Sequence, residues 1–288
     1  CNTNVEVIQF ICDTFKDIID INNDHNYNNE TALMLAAQHN TNEHVTQYLC
    51  DTFKDTIDIN KQVNDAFING VFYNRNVKVT QCLYDTFKDT IDINKQVNYG
   101  NTALMLAVQK STNIEVIQYL CTTFKDTIDI NKQDNYGHTA LMIPLLYNTN
   151  FEKIQYLCDT FKDAIDINKQ DKYGYTALIH ASHYNTNVKV IQYLYDMFKD
   201  TIDINKQSNL GRTALMLAAG YNTNVEVIQY LCDILLHTKD IIEKNKNKND
   251  RTVLKVAAQE NNGKVTYKTL KIKRHSDQLH IQKYSKYK

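Results

Sequence analysis

The sequence predicts an all-α fold, a stack of helix pairs joined by short hairpin-like loops. Three observations carry this. The phrase Asn-x-Gly-x-Thr-Ala-Leu recurs, with Lys172 for Asn in one copy, and sets Thr102, Thr139, Thr176 and Thr213 at a constant spacing of 37 residues. A fixed period of roughly 20–50 residues marks an array of similar units, each burying its apolar face against the next. Each Thr is followed by an apolar run at helical spacing, and a second such run follows within the same period.

The units can be placed in chain order. Residues 1–21 read as the back half of a unit. The Thr-Ala-Leu phrase then stands at Thr31, Thr102, Thr139, Thr176 and Thr213, with Thr252-Val253-Leu254 as a late variant. Between Thr31 and Thr102 lies a degenerate unit, residues 59–93, in which Asp65-Ala66-Phe67 replaces the phrase and three loop residues are missing. The array so read covers 1–270, the half-repeat and about seven repeats, and a basic tail covers 271–288.

Within a unit, Thr213 is suited to cap a first helix that holds Ala214, Leu215, Leu217, Ala218 and Ala219. Thr223 and Glu226 then have the spacing of a capping box opening a second helix, as do Thr3/Glu6, Thr112/Glu115 and Thr149/Glu152. Val225, Ile228, Leu231 and Leu235 continue at helical spacing. The closing stretch, as in 126–131, alternates apolar and polar residues as an extended strand does, and leads to a tight turn at Asn135-Tyr136-Gly137. Pro144 stands at the interior of a first helix, where it is expected to cost about 3 kcal/mol. The unit around Asp65 has Asn69 and Gly70 at Leu and Ala positions and is expected to form the weakest seam.

These residues resemble the ankyrin repeat. Asp134-Asn-Tyr-Gly-His-Thr-Ala-Leu-Met matches the opening of that pattern, Val227-Ile228-Gln-Tyr-Leu231 its second helix, and Ile202-Asp203-Ile204-Asn205 its close. Ala replaces the usual Pro, Met34, Met105, Met142 and Met216 replace the usual His, and the unit is longer than the ordinary repeat of about 33 residues. The resemblance implies an ankyrin-type α-solenoid of stacked helix pairs with short β-hairpin-like loops. It further implies a concave face, lined by turn tips and first helices, on which a partner protein docks.

The positions that would line that face are Tyr73, Lys110, Tyr147, Tyr184 and Tyr221 on the first helices, with His39 in the same register. Tyr99, Tyr136, Tyr173 and Leu210 stand at the tips, and His138, Tyr175 and Arg212 just before the Thr. A tyrosine ladder offers contact area with a polar handle. Duplication in a chain rich in Asn, Lys, Ile and Tyr would repeat a solvent-facing Tyr equally well, and both readings stand.

Composition narrows the function. Net charge is −1, which argues against a generally nucleic-acid-binding body. The stretch 264–288 holds seven Lys and one Arg against Asp277, about +7, leaving about −8 for the rest. Nucleic-acid contact, or a nuclear-import-like cluster, would be confined to that tail. There are seven Cys. Cys12, Cys50, Cys121, Cys158 and Cys232 share one slot of successive units, with Tyr84 and Tyr195 in the other two. Neighbouring units about 10 Å apart set that slot beyond the roughly 7 Å a disulfide spans. Buried free thiols and a reducing compartment, cytoplasm or nucleus, are expected.

No chemistry-bearing constellation emerges. Asp20-Ile-Asn22-Asn-Asp24 opens like a calcium loop but has His25 for the required Gly and Thr31 for the closing Glu. His180 and His183 stand three apart and are expected to lack carboxylate or Cys company. The Asp-x-Ile-Asp-Ile-Asn stretches recur in nearly every unit, whereas a catalytic carboxylate needs one special environment. Asn29-Glu-Thr31 fits a glycosylation pattern that a reducing compartment would leave unused. No apolar run reaches the roughly 18 residues of a membrane span. The expectation is a monomeric, non-enzymatic scaffold for a protein partner, with no cofactor, metal or membrane contact. The alternative is the targeting arm of a larger enzyme or ubiquitin-ligase adaptor.

Overall fold

The capping threonines and apolar periods become helices in the computed structural model of the chain, which describes residues 4–23, 30–58, 63–74, 76–110, 114–147 and 151–237. The tail, the Thr252 variant, and the capping threonines Thr3, Thr112 and Thr149 lie outside these residues. Among the described residues there are helices and turns but no strand, so the fold is all-α. First helices are α2 (Ala32–His39), α4 (Asn64–Tyr73), α6 (Ala103–Lys110), α8 (Met142–Leu146), α10 (Ala177–Tyr184) and α12 (Ala214–Tyr221). Second helices are α1 (Val5–Phe15), α3 (Glu43–Phe53), α5 (Val77–Phe87), α7 (Ile114–Thr123), α9 (Phe151–Phe161), α11 (Val188–Phe198) and α13 (Val225–His237).

The chain divides into two compact units, residues 1–144 with 150–165, and residues 145–149 with 166–288. In the first, α2, α4 and α6 pack in one row, and α1, α3, α5, α7 and α9 in another. Leu33, Phe67, Leu83, Met105, Ile117 and Leu120 are fully buried between the rows. In the second, α10 packs on α12 and α11 on α13, burying Leu178, Ile179, Leu194, Leu217 and Leu231. Cys12, Cys50, Cys82, Cys121, Cys158 and Cys232 are buried free thiols. Cys82 sits in a slot that Tyr48 and Tyr119 fill in neighbouring helices, and there it reaches Cys50. The hydrogen bond between them, with burial, holds the Cys50 thiol well above its usual range.

First helices start as expected: the hydroxyls of Thr31, Thr102, Thr176 and Thr213 accept the amides of Met34, Met105, Ile179 and Met216 at 3.3–3.4 Å. Second helices do not. At Thr223/Glu226 the expected capping box is absent, and the cap is Asn224, whose Oδ1 accepts the Glu226 amide at 2.9 Å. Asn4, Asn42, Asn76 and Asn187 cap α1, α3, α5 and α11 in the same way. The side-chain carbonyl of Asn mimics a backbone acceptor, so it outcompetes the Thr before it.

Among the described residues, the arm after a second helix is a pair of turns and not the extended strand its alternation suggested. The Phe124 carbonyl closes α7 by accepting the Thr127 amide (3.0 Å), the Ile128 amide (2.9 Å) and the Thr127 hydroxyl (3.2 Å). Asp129 then accepts the Asn131 amide in a side-chain-closed turn. Asp20, Asp92, Asp166 and Asp203 do the same, which gives these recurring carboxylates a structural task.

Asparagines join neighbouring repeats. Asn222 Nδ2 donates to the Ser182 and Asn185 carbonyls at 2.9 and 2.8 Å while its Oδ1 accepts the Asn224 amide. Asn74 repeats the arrangement on the Ala37 and Asn40 carbonyls. At the arms, Asn22, Asn94 and Asn168 each donate to the Thr carbonyl of the next arm and accept its Asp amide, within 2.7–2.8 Å. The Asn-x-Asn clasp between the helices of a repeat thus satisfies orphan carbonyls at the end of the first helix of the preceding repeat.

The irregular unit at Pro144 adapts. Pro144 does not interrupt a helix, contrary to the expectation: α8 starts only at Met142, so the proline lies in its first turn, where a missing N–H is not needed. Lys153 of α9 stands where Val79 and Val116 occupy this slot, is itself buried, and donates to the Val108 carbonyl at 3.1 Å. That carbonyl is the counterpart of Ala37 and Ser182. Burial lowers the pKa of its ammonium.

Candidate protein-interaction face

The tips and first helices present most of the predicted aromatic residues to solvent. Tyr73, Tyr99, Tyr136, Tyr147, Tyr173, Tyr184 and Tyr221 are exposed, from 42% at Tyr184 to 67% at Tyr99. Leu210 and Lys110 are exposed, while Tyr175, His138 and Arg212 are half-buried. The tip turn explains why these side chains project. Asp171 Oδ1 accepts the Tyr173 and Tyr175 amides at 2.8 Å, the Asp171 amide bonds the Tyr175 carbonyl, and Gly174 takes a φ of 78°. Consecutive tips are tied by backbone: Asn135 to the Tyr99 carbonyl at 2.8 Å, and Asn209 to the Tyr173 carbonyl at 3.0 Å. Tyr99 is the described non-glycine residue in the left-handed region, at φ 62°.

The predicted residues gather unevenly. In the second unit Tyr175, Tyr184, Arg212 and Tyr221 surround His183, which the sequence did not single out as a contact residue. The His183 ring lies 4.0 Å from Tyr184, 4.7 Å from Tyr221 and 6.2 Å from Tyr175, centroid to centroid. Arg212 donates to the Tyr221 hydroxyl at 2.9 Å and lies over its ring at 5.8 Å. In the first unit Tyr73 packs edge-on against Phe72, over which Lys110 sits at 5.8 Å, and Tyr136 stacks with His138 at 5.8 Å. His138 also bonds Asp134 at 3.1 Å.

A buried pair supports the second-unit cluster. His180 Nε2 lies 2.9 Å from Asp171 Oδ2, and both side chains are almost wholly inaccessible. Burial pushes the Asp171 carboxyl up, but the His180 bond, the Tyr175 and Tyr173 amides and the His180 charge together outweigh it, and its pKa is lowered. Burial, with the neighbouring His180 and Arg212, lowers the His183 pKa, which keeps that imidazole neutral near pH 7. Burial raises the Tyr175 pKa. The available signal for the pair was His180 itself, a polar residue in a slot that holds Leu35, Leu106 and Leu217 elsewhere.

No helix of the described residues is long and apolar enough to cross a membrane. A family model for ankyrin repeats in three copies matches residues 124–208 and 195–271, and a model for the single ankyrin repeat matches residues 99–135. No curated protein matches the chain. The matched span covers more than half of the sequence and coincides with threonine-capped helix pairs and glycine-closed tips, so the chain belongs to the ankyrin repeat family.

Proposed function

We propose that the protein is a non-enzymatic scaffold that binds a partner protein through the face formed by its turn tips and first helices. Ankyrin repeats are protein–protein interaction modules, which gives the general class. The observation that carries the particular face is the Tyr184–His183–Tyr221 cluster. Two rings that leave about half of their surface in water are held in place by stacking, by Arg212 and by a buried Asp171–His180 pair beneath them. Rigid aromatic area of this kind binds at low entropic cost.

The outward sides of the second helices and the arms offer a contrasting surface. In the arms Asp92, Asp129 and Asp203 are engaged in turns that hold the backbone, and on the second helices Tyr195 packs on Tyr230. Such a surface serves the architecture.

The test replaces Tyr173, Tyr184 and Tyr221 together by Ala and compares proteins captured from a lysate of the source cell by the two forms. Specific capture is expected to disappear while far-UV circular dichroism stays the same. Retained capture by a folded triple variant would place the binding face elsewhere.

A further inference from the structure

The tip-and-first-helix face of the second unit differs in charge from the described second helices and arms of that unit. Between Gln170 and Tyr184, and between Gln207 and Tyr221, the only carboxylate is Asp171, against Lys172 and Arg212 as fixed cations. Asp171 is buried, and its two oxygens are occupied by His180 and by the Tyr173 and Tyr175 amides. Among the described residues this face therefore presents no exposed carboxylate. The other described acids of the unit lie on second helices or in arms: Asp196, Glu226 and Asp233 on α11 and α13, and Asp166, Asp200 and Asp203 in the arms.

The cations stand beside the aromatic cluster. Lys172 is exposed at one tip, adjacent to Tyr173. Arg212 stands at the next tip and is oriented by Tyr221, through the 2.9 Å bond and the ring beneath it. A guanidinium fixed in this way offers a planar fork matched to a carboxylate. His183 adds a neutral nitrogen, Nδ1, that is buried and has no hydrogen-bond partner among the described residues. Positive charge without competing acid, next to fixed rings, is complementary to a segment that carries carboxylates among apolar residues.

We propose that this face of the second unit docks an acidic peptide segment, with its carboxylates at Arg212 and Lys172 and its apolar side chains against Tyr184 and Tyr221. The assignment rests on the reading above that tips and first helices bind protein, and adds the chemistry of the partner. Arg212 sets the position of a carboxylate and the tyrosines supply area. Charge steers the approach, so binding weakens as salt rises.

Short random peptides displayed on phage and selected on the full chain provide the test. Asp and Glu are expected to be enriched in the selected peptides over the starting library. A resynthesised peptide is expected to bind at least about tenfold more weakly to Arg212→Glu and to Lys172→Glu, the loss typical of reversing one charge of a close pair. Arg212→Lys keeps the charge and is expected to retain most of the binding; equal loss in Arg212→Lys and Arg212→Glu would overturn the carboxylate assignment. So would selection of neutral or basic peptides, even if binding still depended on Tyr184 and Tyr221. Peptides whose binding ignores both Tyr184→Ala and Tyr221→Ala would instead refute the face itself. Circular dichroism and the melting midpoint of each variant keep loss of fold separate from loss of contact.

Discussion

Asn64 donates through Nδ2 to the Thr90 carbonyl at 3.4 Å and accepts the Asp92 amide on Oδ1 at 2.9 Å. Asn22, Asn94 and Asn168 make this pair of bonds elsewhere, each from the arm that precedes a tip. In the shortened unit the bonds come from the first residue of α4. Asn64 is the sequence counterpart of Asn98 at a tip, so the same pair of bonds is kept by a different asparagine where the tip itself is lost.

The helix-end clasp is expected to be the costliest polar feature to remove. Asn222→Ala would leave the buried Ser182 and Asn185 carbonyls without their donor and free the Asn224 amide. A loss of about 3 kcal/mol is expected, since each orphaned buried group costs about 1–3 kcal/mol. Urea unfolding measures it, and a change below about 1 kcal/mol would show that water replaces the asparagine.

Glycines at two tips separate backbone strain from steric clash. Both Gly174 and Gly211 have positive φ, but a Cβ at Gly174 would lie 2.5 Å from Asn209 Oδ1 and 2.6 Å from its amide, whereas one at Gly211 meets nothing within 4 Å among the described residues. Gly211→Ala should cost about 1 kcal/mol for the left-handed backbone alone. Gly174→Ala should cost clearly more, and equal thermal shifts for the two would contradict the close approach of the tips.

Gly70 offers the opposite case. It lies within α4, and a Cβ there would find Thr80, Leu83 and Val79 at 3.5–3.8 Å, ordinary packing distances. Gly70→Ala should therefore stabilise the protein by about 0.5–1 kcal/mol through lower chain entropy. Hydrogen exchange of α4, compared with α12, would show whether the shortened unit is indeed the least protected part of the array and how far this change closes the gap.

Acid should loosen the Tyr175 tip. The folded pKa of Asp171 is lowered, so its contribution to stability is present above the ordinary carboxylate value and is lost as pH falls through the folded one. The advantage of the wild type over Asp171→Asn should be full near neutral pH and shrink below about pH 4. Denaturation midpoints of the two proteins across that range decide it, and a constant difference would assign the role of Asp171 to shape and not to charge.

Much of this architecture was legible in the sequence because it rests on repeated, local signals. The threonine caps, the Leu and Ala positions of the first helices and the positive-φ glycines of the tips all behave as their residue types dictate. The misread features depend on neighbours. Thr223 and Glu226 have capping-box spacing, but Asn224 between them also clasps the repeat before it, through a 2.7 Å bond to the Thr186 carbonyl. The arms alternate like strands because Ile202 and Ile204 need burial, yet the Phe198 carbonyl draws the chain into a turn first. The interaction face was legible as a list of exposed rings. Its organising residues, His183 and the Asp171–His180 pair, were hidden because each needs a contact between a tip and a helix some nine residues further on.

The asparagine clasps bear on how the chain assembles its own order. Seams built from the same bonds do not distinguish one repeat from another, so Asn222 would fit the helix end that Asn74 holds nearly as well as its own. Near-identical neighbours favour slipped register and exchange of segments between molecules during folding. The irregular positions act as register marks: the shortened α8 at Pro144, the buried Lys153 in a valine slot, and the arm clasp made by Asn64 at the start of α4. Pro144→Ala with Lys153→Val should make the array more uniform and more stable locally, yet raise the share of domain-swapped dimer on refolding at high concentration, as read by size-exclusion chromatography. An unchanged monomer share would mean that register is kept elsewhere. On this view the defects of the repeat are what make its sequence of units readable to the folding chain.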